Sequence, residues 1–559
     1  MLKLILHIIP KPFRSLSIRY LLLSLINVFL DLLSIAYIIP LFIFILDETK
    51  IPDFVNKLPF FNSANLYAWV IGGIVLFILK NIIQTFIIKF QSRLVFDIAT
   101  ELSFNLASDF LKKPFSELQN INKGKELHKI QMSGTEFANN ILLSINYIFT
   151  EALVILILLT VSLFLYPILT LYILCFALIC LLSLYFFKQR KIKNISASIK
   201  KRYASTSSNL LNILNGFLEI RSLKKEDYFE LKFKKSLKKF NANFVQLKTI
   251  QNSNIKYLEI FLIIGLSFFI IFIKNLADPE TNRIVLTSFI AGISLKLFPS
   301  LNKIILSITN IKSFSYTIGI FKDSNSKKNL SYNTKPFKNT LELRNISFGY
   351  NPSKLILDSV NLTINKGEII AIKGKSGIGK TTLLNIILGM ITPSSGEKYL
   401  DNTLLKREDL LFNIASYVPQ HPFIFNGTIL ENIVIGTAKK DIDSEKIAHL
   451  LETFQLTDYL NNLPDKLETK LSHDSLTLSG GQKQRIALIR ALYSNPELLI
   501  LDEATNQLDD ALEASILTYL KNRAKENNFS IIIASHSTNI DKIIEKSYDI
   551  NTFKKDIVN

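Results

Sequence analysis

The sequence predicts a two-part fold: an all-α membrane domain of six helices followed by an α/β domain built around a phosphate-binding loop. Three observations predict it. Long apolar runs fill roughly the first 320 of the 559 residues and then stop. In the second half, the strand-like Glu368–Ile372 leads into Gly374-Lys375-Ser376-Gly377-Ile378-Gly379-Lys380-Thr381-Thr382 and then an apolar helix, Leu383–Leu388. Further on, the apolar run Leu498–Leu501 ends in two acids, Asp502 and Glu503. The division expected is a membrane domain over 1–322, a linker over 323–338 rich in Asn, Ser and Lys, and a nucleotide-binding domain over 339–559.

A spanning helix needs about 20 apolar residues. Six stretches qualify: Tyr20–Leu46, Tyr67–Lys89, Leu142–Leu165, Leu169–Phe187, Tyr257–Ile273 and Arg283–Leu306. Hydrophobic residues make up 48% of the chain, including 41 Phe, which suits a membrane protein. The net charge of +19 raises nucleic acid as a partner, but the Lys and Arg cluster between apolar runs, so anionic lipid is the better match and no nucleic-acid partner is expected. The loops Asp47–Asn65 and Asn275–Asn282 are short, whereas Gln91–Asn140 and Lys188–Asn254 are long and Lys-rich. The positive-inside rule therefore puts the two long loops and both termini in the cytoplasm. Lys3, Lys11, Arg14 and Arg19 precede the first span without a small-residue cleavage site, so that span is expected to stay in the membrane. Cys175 and Cys180 lie five positions apart in one apolar run, which separates them on a helix and offers no metal-ligand spacing.

Charged residues inside spans are costly and point to function. Asp31 and Lys80 sit mid-span, Lys256 opens the fifth span, and Lys296, Ser300, Lys303, Ser307 and Asn310 form one polar stripe on the sixth. Two readings stand side by side. Lys80, Lys256, Lys296 and Lys303 line a cavity that attracts a phosphate or pyrophosphate headgroup; or Asp31 pairs with Lys80 while Lys256 and Lys303 snorkel to the interface.

The phosphate-loop pattern has the required order of strand, glycine-rich loop and helix. Its glycines let backbone N–H groups close around phosphate at a helix N-terminus. Lys380 is placed to reach the β- and γ-phosphates and Thr381 to bind Mg²⁺. Because adjacent strand residues point to opposite faces, strand continuity must break if Asp502 and Glu503 are to serve one site.

These motifs resemble the nucleotide-binding domain of ABC ATPases. Leu478-Ser479-Gly480-Gly481-Gln482 matches the family signature, Tyr417-Val418-Pro419-Gln420 the Q-loop, and Ile531–Ser535 followed by His536 the switch histidine. The layout of the first half resembles the six-helix membrane domain of type I ABC exporters. Lys113-Pro114-Phe115-Ser116 with Gly124, and Ser208–Arg221 with Gly216-Phe217, fit its coupling helices. The resemblance implies ATP and Mg²⁺ as cofactors. By it, Tyr350 stacks on adenine; Gly374, Ser376, Gly377, Gly379, Lys380, Thr381 and Thr382 hold the phosphates; and Thr381, Gln420 and Asp502 hold the metal. Glu503 polarises the attacking water, with Gln420 and His536 beside the reacting phosphate, while Ser479, Gly480, Gly481, Gln482 and Asp509 contact the nucleotide of a partner. One phosphate loop and one signature per chain imply a half-transporter that works as a dimer, here expected to be a homodimer.

The chain departs from the family at Asn506-Gln507-Leu508-Asp509, where Ser-Ala-Leu-Asp is usual, at Leu471–Ser475 and at Ser537. The stretch Lys296–Ile305 and the basic span positions resemble bacterial lipid-linked oligosaccharide flippases, although this chain has Lys where that group favours Arg, a point charge in place of a bidentate fork. The expectation is an ATP-driven exporter or flippase of an amphipathic anionic lipid in a bacterial plasma membrane. A peptide or drug exporter is the alternative, and an ATP-gated channel or regulator a further one.

Overall fold

The structure, a computed structural model, describes residues 2–46, 66–118, 121–165, 167, 170–171, 194–195, 197–199, 201–276, 281–324, 332–333, 335–351, 354–406, 409–471, 478–527, 529–535 and 538–550. It forms two units. Unit 1 holds Met1–Leu111 and Ile121–Lys327; unit 2 holds Lys112–Asn120 and Lys328–Asn559.

Unit 1 is helical. Its elements are α1 (Leu2–Ile8), α2 (Lys11–Leu46), α3 (Leu66–Leu111), α5 (Lys123–Gln131), α6 (Ser133–Phe137), α7 (Leu143–Leu165), α8 (Phe217–Ser222), α9 (Glu226–Leu276), α10 (Thr281–Ser313) and α11 (Tyr316–Ser324); the short α4 (Phe115–Leu118) belongs to unit 2. A π-helical turn, Ala138–Leu142, joins α6 to α7. Among the described residues, three helices are long and apolar enough to cross a membrane, at Lys11–Ser34, Val70–Leu111 and Ser133–Phe164; a bent pair, Lys296–Ser313 with Tyr316–Lys322, makes a fourth. The first three overlap the first three predicted spans, with shifted bounds. The fifth runs in the C-terminal part of α9 and the sixth in α10. Of the fourth, Leu169–Phe187, nearly all lies outside the described residues, as do Cys175 and Cys180.

Helix α3 has 46 residues, about 70 Å at ~1.5 Å per residue, more than twice the roughly 30 Å hydrocarbon core. Its length therefore carries it well out of the bilayer. Ile71, Ile74, Ile78 and Ile82 on α3 are exposed, as a lipid-facing stripe would be. At its other end Leu94, Ile98, Leu102 and Leu106 are buried with Phe137, Ile141, Ile199 and Leu247 in one core. Gly124 is required where α5 meets the helical stretch 201–215: a Cβ there would lie 2.9 Å from the Ser208 nitrogen. At Gly216 the helix is interrupted before α8, inside the segment expected to form the second coupling helix.

Unit 2 is α/β. An antiparallel sheet has the order β2-β1-β4-β5, from β1 (Thr340–Phe348), β2 (Leu357–Asn365), β4 (Ser395–Leu400) and β5 (Thr403–Leu404). A parallel sheet has the order β11-β3-β10-β9-β6, from β3 (Ile369–Lys373), β6 (Ala415–Val418), β9 (Leu498–Asp502), β10 (Ser530–Ala534) and β11 (Lys546–Asp549). Strands β9 and β10 are buried along their whole length, which is why they read as unbroken apolar runs. The helices α12 (Lys380–Ile387), α16 (Gly480–Tyr493) and α17 (Asp510–Asn527) cover the parallel sheet, and between them come β7 (Gly427–Thr428), α13 (Ile429–Ile433), α14 (Ser444–Thr453), α15 (Thr457–Asn461) and β8 (Lys470–Leu471). Phe115 of α4 packs against the core formed by Leu383, Leu384 and Ile387 of α12 and Leu498 of β9. Within 323–338, Asn333 donates to the Leu410 carbonyl and Phe337 is buried in the same core.

Candidate functional site

The parallel sheet assembles the site. In α/β sheets ligands bind beyond the carboxyl ends of the strands. Pairing aligns Ala534 with Asp502, Ala534 with Ile372, and Val418 with Leu501, so β3, β10, β9 and β6 end level with one another. The phosphate loop leaves β3, the two acids end β9, Gln420 follows β6, and His536 follows β10. His536 itself lies outside the described residues. Four segments separated by up to about 160 residues therefore converge on one sheet edge.

The phosphate loop turns at Gly374, Gly377 and Gly379, all at positive φ. At Gly379, with φ +122°, a Cβ would also lie 2.7 Å from the Ile356 side chain. Ser376 is exposed on the loop. Lys380 opens α12 and is 5% exposed; its Nζ donates to the Gly374 carbonyl at 2.9 Å and stands 3.5 Å from Glu503 Oε1. These are contacts that a phosphate would replace. Thr382 is buried, with its hydroxyl 3.4 Å from that of Tyr350. The Tyr350 ring is 54% exposed and open to a stacked base.

Strand β9 stops at Asp502. Glu503 has φ +50°, with its N–H donating to the Ala534 carbonyl at 2.8 Å. A left-handed non-glycine residue costs on the order of 1–3 kcal/mol and is held there by its surroundings. This is the break in strand continuity that the two adjacent acids require. Both carboxylates now reach the phosphate loop. Thr381 and Tyr417 hydrogen-bond to Asp502, the tyrosine hydroxyl donating at 3.0 Å. Burial pushes the Asp502 carboxyl above its ordinary range, opposed by those hydrogen bonds and assisted by the neighbouring Glu503. Gln420 Nε2 donates to Glu503 Oε2 at 2.7 Å. The hydroxyl of Thr381 and the oxygens of Asp502 and Gln420 are hard donors of the kind Mg²⁺ takes, with phosphates and water completing its shell. The donor set fits ATP and Mg²⁺.

The signature begins α16. Ser479 caps the helix, accepting from Gln482 N–H at 3.2 Å while Gln482 Oε1 accepts from Ser479 N–H at 2.8 Å. Ser479, Gly480, Gly481, Arg485, Gln507 and Asp509 line a pocket of about 590 Å³ together with Leu508 and Leu512. No residue of the phosphate loop lines it. Asp509 is exposed and caps α17 through Oδ1, accepting from Leu512 N–H at 2.9 Å.

In unit 1 the four candidate lysines have carboxylate partners. Asp31 on α2 pairs with Lys80 of α3 at 2.9 Å and with Lys296 of α10, and accepts from Gln84 Nε2 at 2.9 Å. Lys303 pairs with Glu151 of α7 at 2.7 Å, and Ser300 donates to the same carboxylate at 2.6 Å. Asn310 accepts from Gln251 of α9. The polar stripe on α10 thus faces three other helices. Lys256 pairs with Glu259 on its own helix and is largely exposed, so it does not join the others among the described residues. Sequence reasoning missed Glu151, although a lone Glu within a predicted span is itself the signal. It also left Tyr417 without a role.

An α/β domain with a glycine-rich phosphate-loop pattern and a second glycine-bearing helix N-terminus, in a chain that also has helices long and apolar enough to cross a membrane, is the design of a nucleotide-driven membrane protein. The model for the ABC transporter transmembrane region matches residues 17–295 and the ABC transporter model matches 357–506, so the chain belongs to the ABC transporter family. It is similar to an ATP-dependent lipid A-core flippase of Ralstonia nicotianae, 38% identical over 193 residues, covering 34% of this chain and 32% of that protein. The transport/processing ATP-binding protein ComA of Streptococcus pneumoniae is 41% identical over 163 residues, covering 29% and 23%. The matched stretches span about a third or less of these relatives. A solved bacterial Atm1-family ABC exporter with ATP bound shares the fold, with TM-score 0.79 and 16% identity over 94% of this chain and 92% of that one.

Proposed function

We propose that two copies of this chain form an exporter that hydrolyses ATP to move an amphipathic anionic lipid, such as a lipid-linked oligosaccharide, out across the bacterial plasma membrane. The observation that carries the ATPase reading is the meeting of Lys380, Thr381, Asp502, Glu503 and Gln420 at one sheet edge. Lys380 places its charge against the β- and γ-phosphates. Thr381 and Asp502 would hold Mg²⁺, whose charge would offset that of the phosphates. Glu503 polarises the attacking water and Gln420 orients it; His536 joins them by its sequence position after β10. Phosphoryl transfer needs little more than positioning and charge compensation. The signature pocket lacks a phosphate loop of its own, which supports a dimer in which Ser479 and the α16 N-terminus bind the partner's γ-phosphate.

The charge balance of unit 1 supports an anionic cargo. Lys80 and Lys296 share the one carboxylate of Asp31, whereas Lys303 and Glu151 balance each other. The trio of Asp31, Lys80 and Lys296 is left with one positive charge, the complement of a phosphate-bearing headgroup. A second reading, peptide export, fits the same architecture. Reconstitution into vesicles separates them: uptake of a pyrophosphate-linked lipid that stops in the Lys80→Gln/Lys296→Gln variant, with basal ATPase retained, is expected. Uptake of peptide in place of lipid, or lipid uptake untouched by the double substitution, would overturn the lipid reading.

A further inference from the structure

We propose that Asn506 is a positioning residue for the hydrolytic carboxylate, a role that rests on the ATPase reading above. Asn506 Nδ2 donates to Glu503 Oε2 at 3.1 Å, the same oxygen that accepts from Gln420 Nε2. Glu503 Oε1 faces Lys380, and so faces the phosphate loop. With Oε2 held from two sides, rotation of the carboxylate is restricted and Oε1 is left toward the nucleotide. Were Gln420 to serve Mg²⁺ and the attacking water, Asn506 would be the donor that stays on Oε2. A serine, the residue that the ABC ATPase pattern has here, carries its hydroxyl one bond short of the amide nitrogen.

Asn506 is itself held by the signature helix. The next residue, Gln507, donates its N–H to Gln484 Oε1 at 3.0 Å, and Gln484 is fully buried in α16. The Gln507 side chain lies across Gly480, where a Cβ would come within 2.0 Å of its Oε1, and its carbonyl lies beside Gly481. The dipeptide Asn506-Gln507 thus links the signature that serves a partner's nucleotide to the carboxylate that serves this chain's own. Asn506 is exposed, so its replacement costs the fold little.

The test is steady-state ATPase kinetics of the reconstituted full-length protein carrying Asn506→Asp, which is isosteric but has no donor, and Asn506→Ala, which lacks the donor without adding charge. Both are expected to lower kcat about tenfold, the size of one hydrogen bond to a charged group, with KM for ATP within about twofold. Wild-type kcat in both variants overturns the proposal. So does a loss confined to Asn506→Asp, which would be charge repulsion, or a KM that changes in step with kcat. A wild-type protein no more active than Glu503→Gln would remove the ATPase reading as well, and so is told apart from failure of this proposal alone.

Discussion

Removing Asp31 tests whether the buried charges of unit 1 hold its helices together. Asp31, Lys80 and Lys296 have side chains only 19%, 13% and 21% exposed, and the carboxylate joins α2 to both α3 and α10. Asp31→Asn keeps the shape and the hydrogen bond from Gln84 Nε2, but leaves two ammonium groups around a neutral amide. Breaking a buried pair by removing one partner costs about 3–5 kcal/mol, and an unpaired Lys in a span costs about 2.5–3.5 kcal/mol. Residual exposure of the three groups puts the expected loss near the lower end, about 3 kcal/mol. The midpoint of thermal unfolding in detergent, followed by helix content, should fall. Adding Lys296→Met to Asp31→Asn removes one stranded cation and should recover part of that loss. An Asp31→Asn protein with the wild-type midpoint would refute the reasoning. So would a double variant less stable than the single one.

Three further outcomes follow from unit 2. Glu503→Gln keeps an acceptor for Gln420 but loses the charge that polarises water, so ATPase turnover should fall at least about a hundredfold with ATP binding retained; filter binding beside phosphate release checks both. Asp502→Asn should stabilise the nucleotide-free protein at neutral pH while abolishing Mg²⁺-dependent hydrolysis. Burial raises the Asp502 pKa, so its contribution to stability is present at low pH and lost as pH rises through the folded value. The gain measured by thermal unfolding should therefore vanish below the ordinary carboxylate range. Lys398 is 5% exposed, donates to the carbonyls of Ile387 and Asp409, and is pushed down to about 8 by burial. Between about 8 and its ordinary 10.5 the unfolded chain binds the extra proton, so wild-type stability should rise with pH there relative to Lys398→Met.

The nucleotide site was legible because each part of it is local. A phosphate is wrapped by contiguous backbone, so Gly374–Thr382 carries its own signal in glycine spacing. The buried strands β9 and β10 read as apolar runs because both faces are covered. Ser479 and Gln482 form their capping box within one turn. The need for a break after Asp502 followed from strand geometry alone, but not how Glu503 would make it. The membrane charges were legible only as individual costs. Lys296 pairs with a residue 265 positions away and Lys303 with one 152 away. No local pattern records such partners.

The sequence by itself determined the family, the two-part architecture and the strand-loop-helix of the phosphate-loop pattern, since their signals lie in residues within a turn, a strand or a helix of one another. The tertiary structure alone decided which charges neutralise which. It turned four candidate substrate lysines into two that share Asp31, one balanced by Glu151 and one paired on its own helix. It also set Asn506 against Glu503, a contact that depends on a left-handed turn and on the packing of Gln507 over Gly480. Coulomb and hydrogen-bond partners are chosen by distance in space, and distance in space is what folding creates.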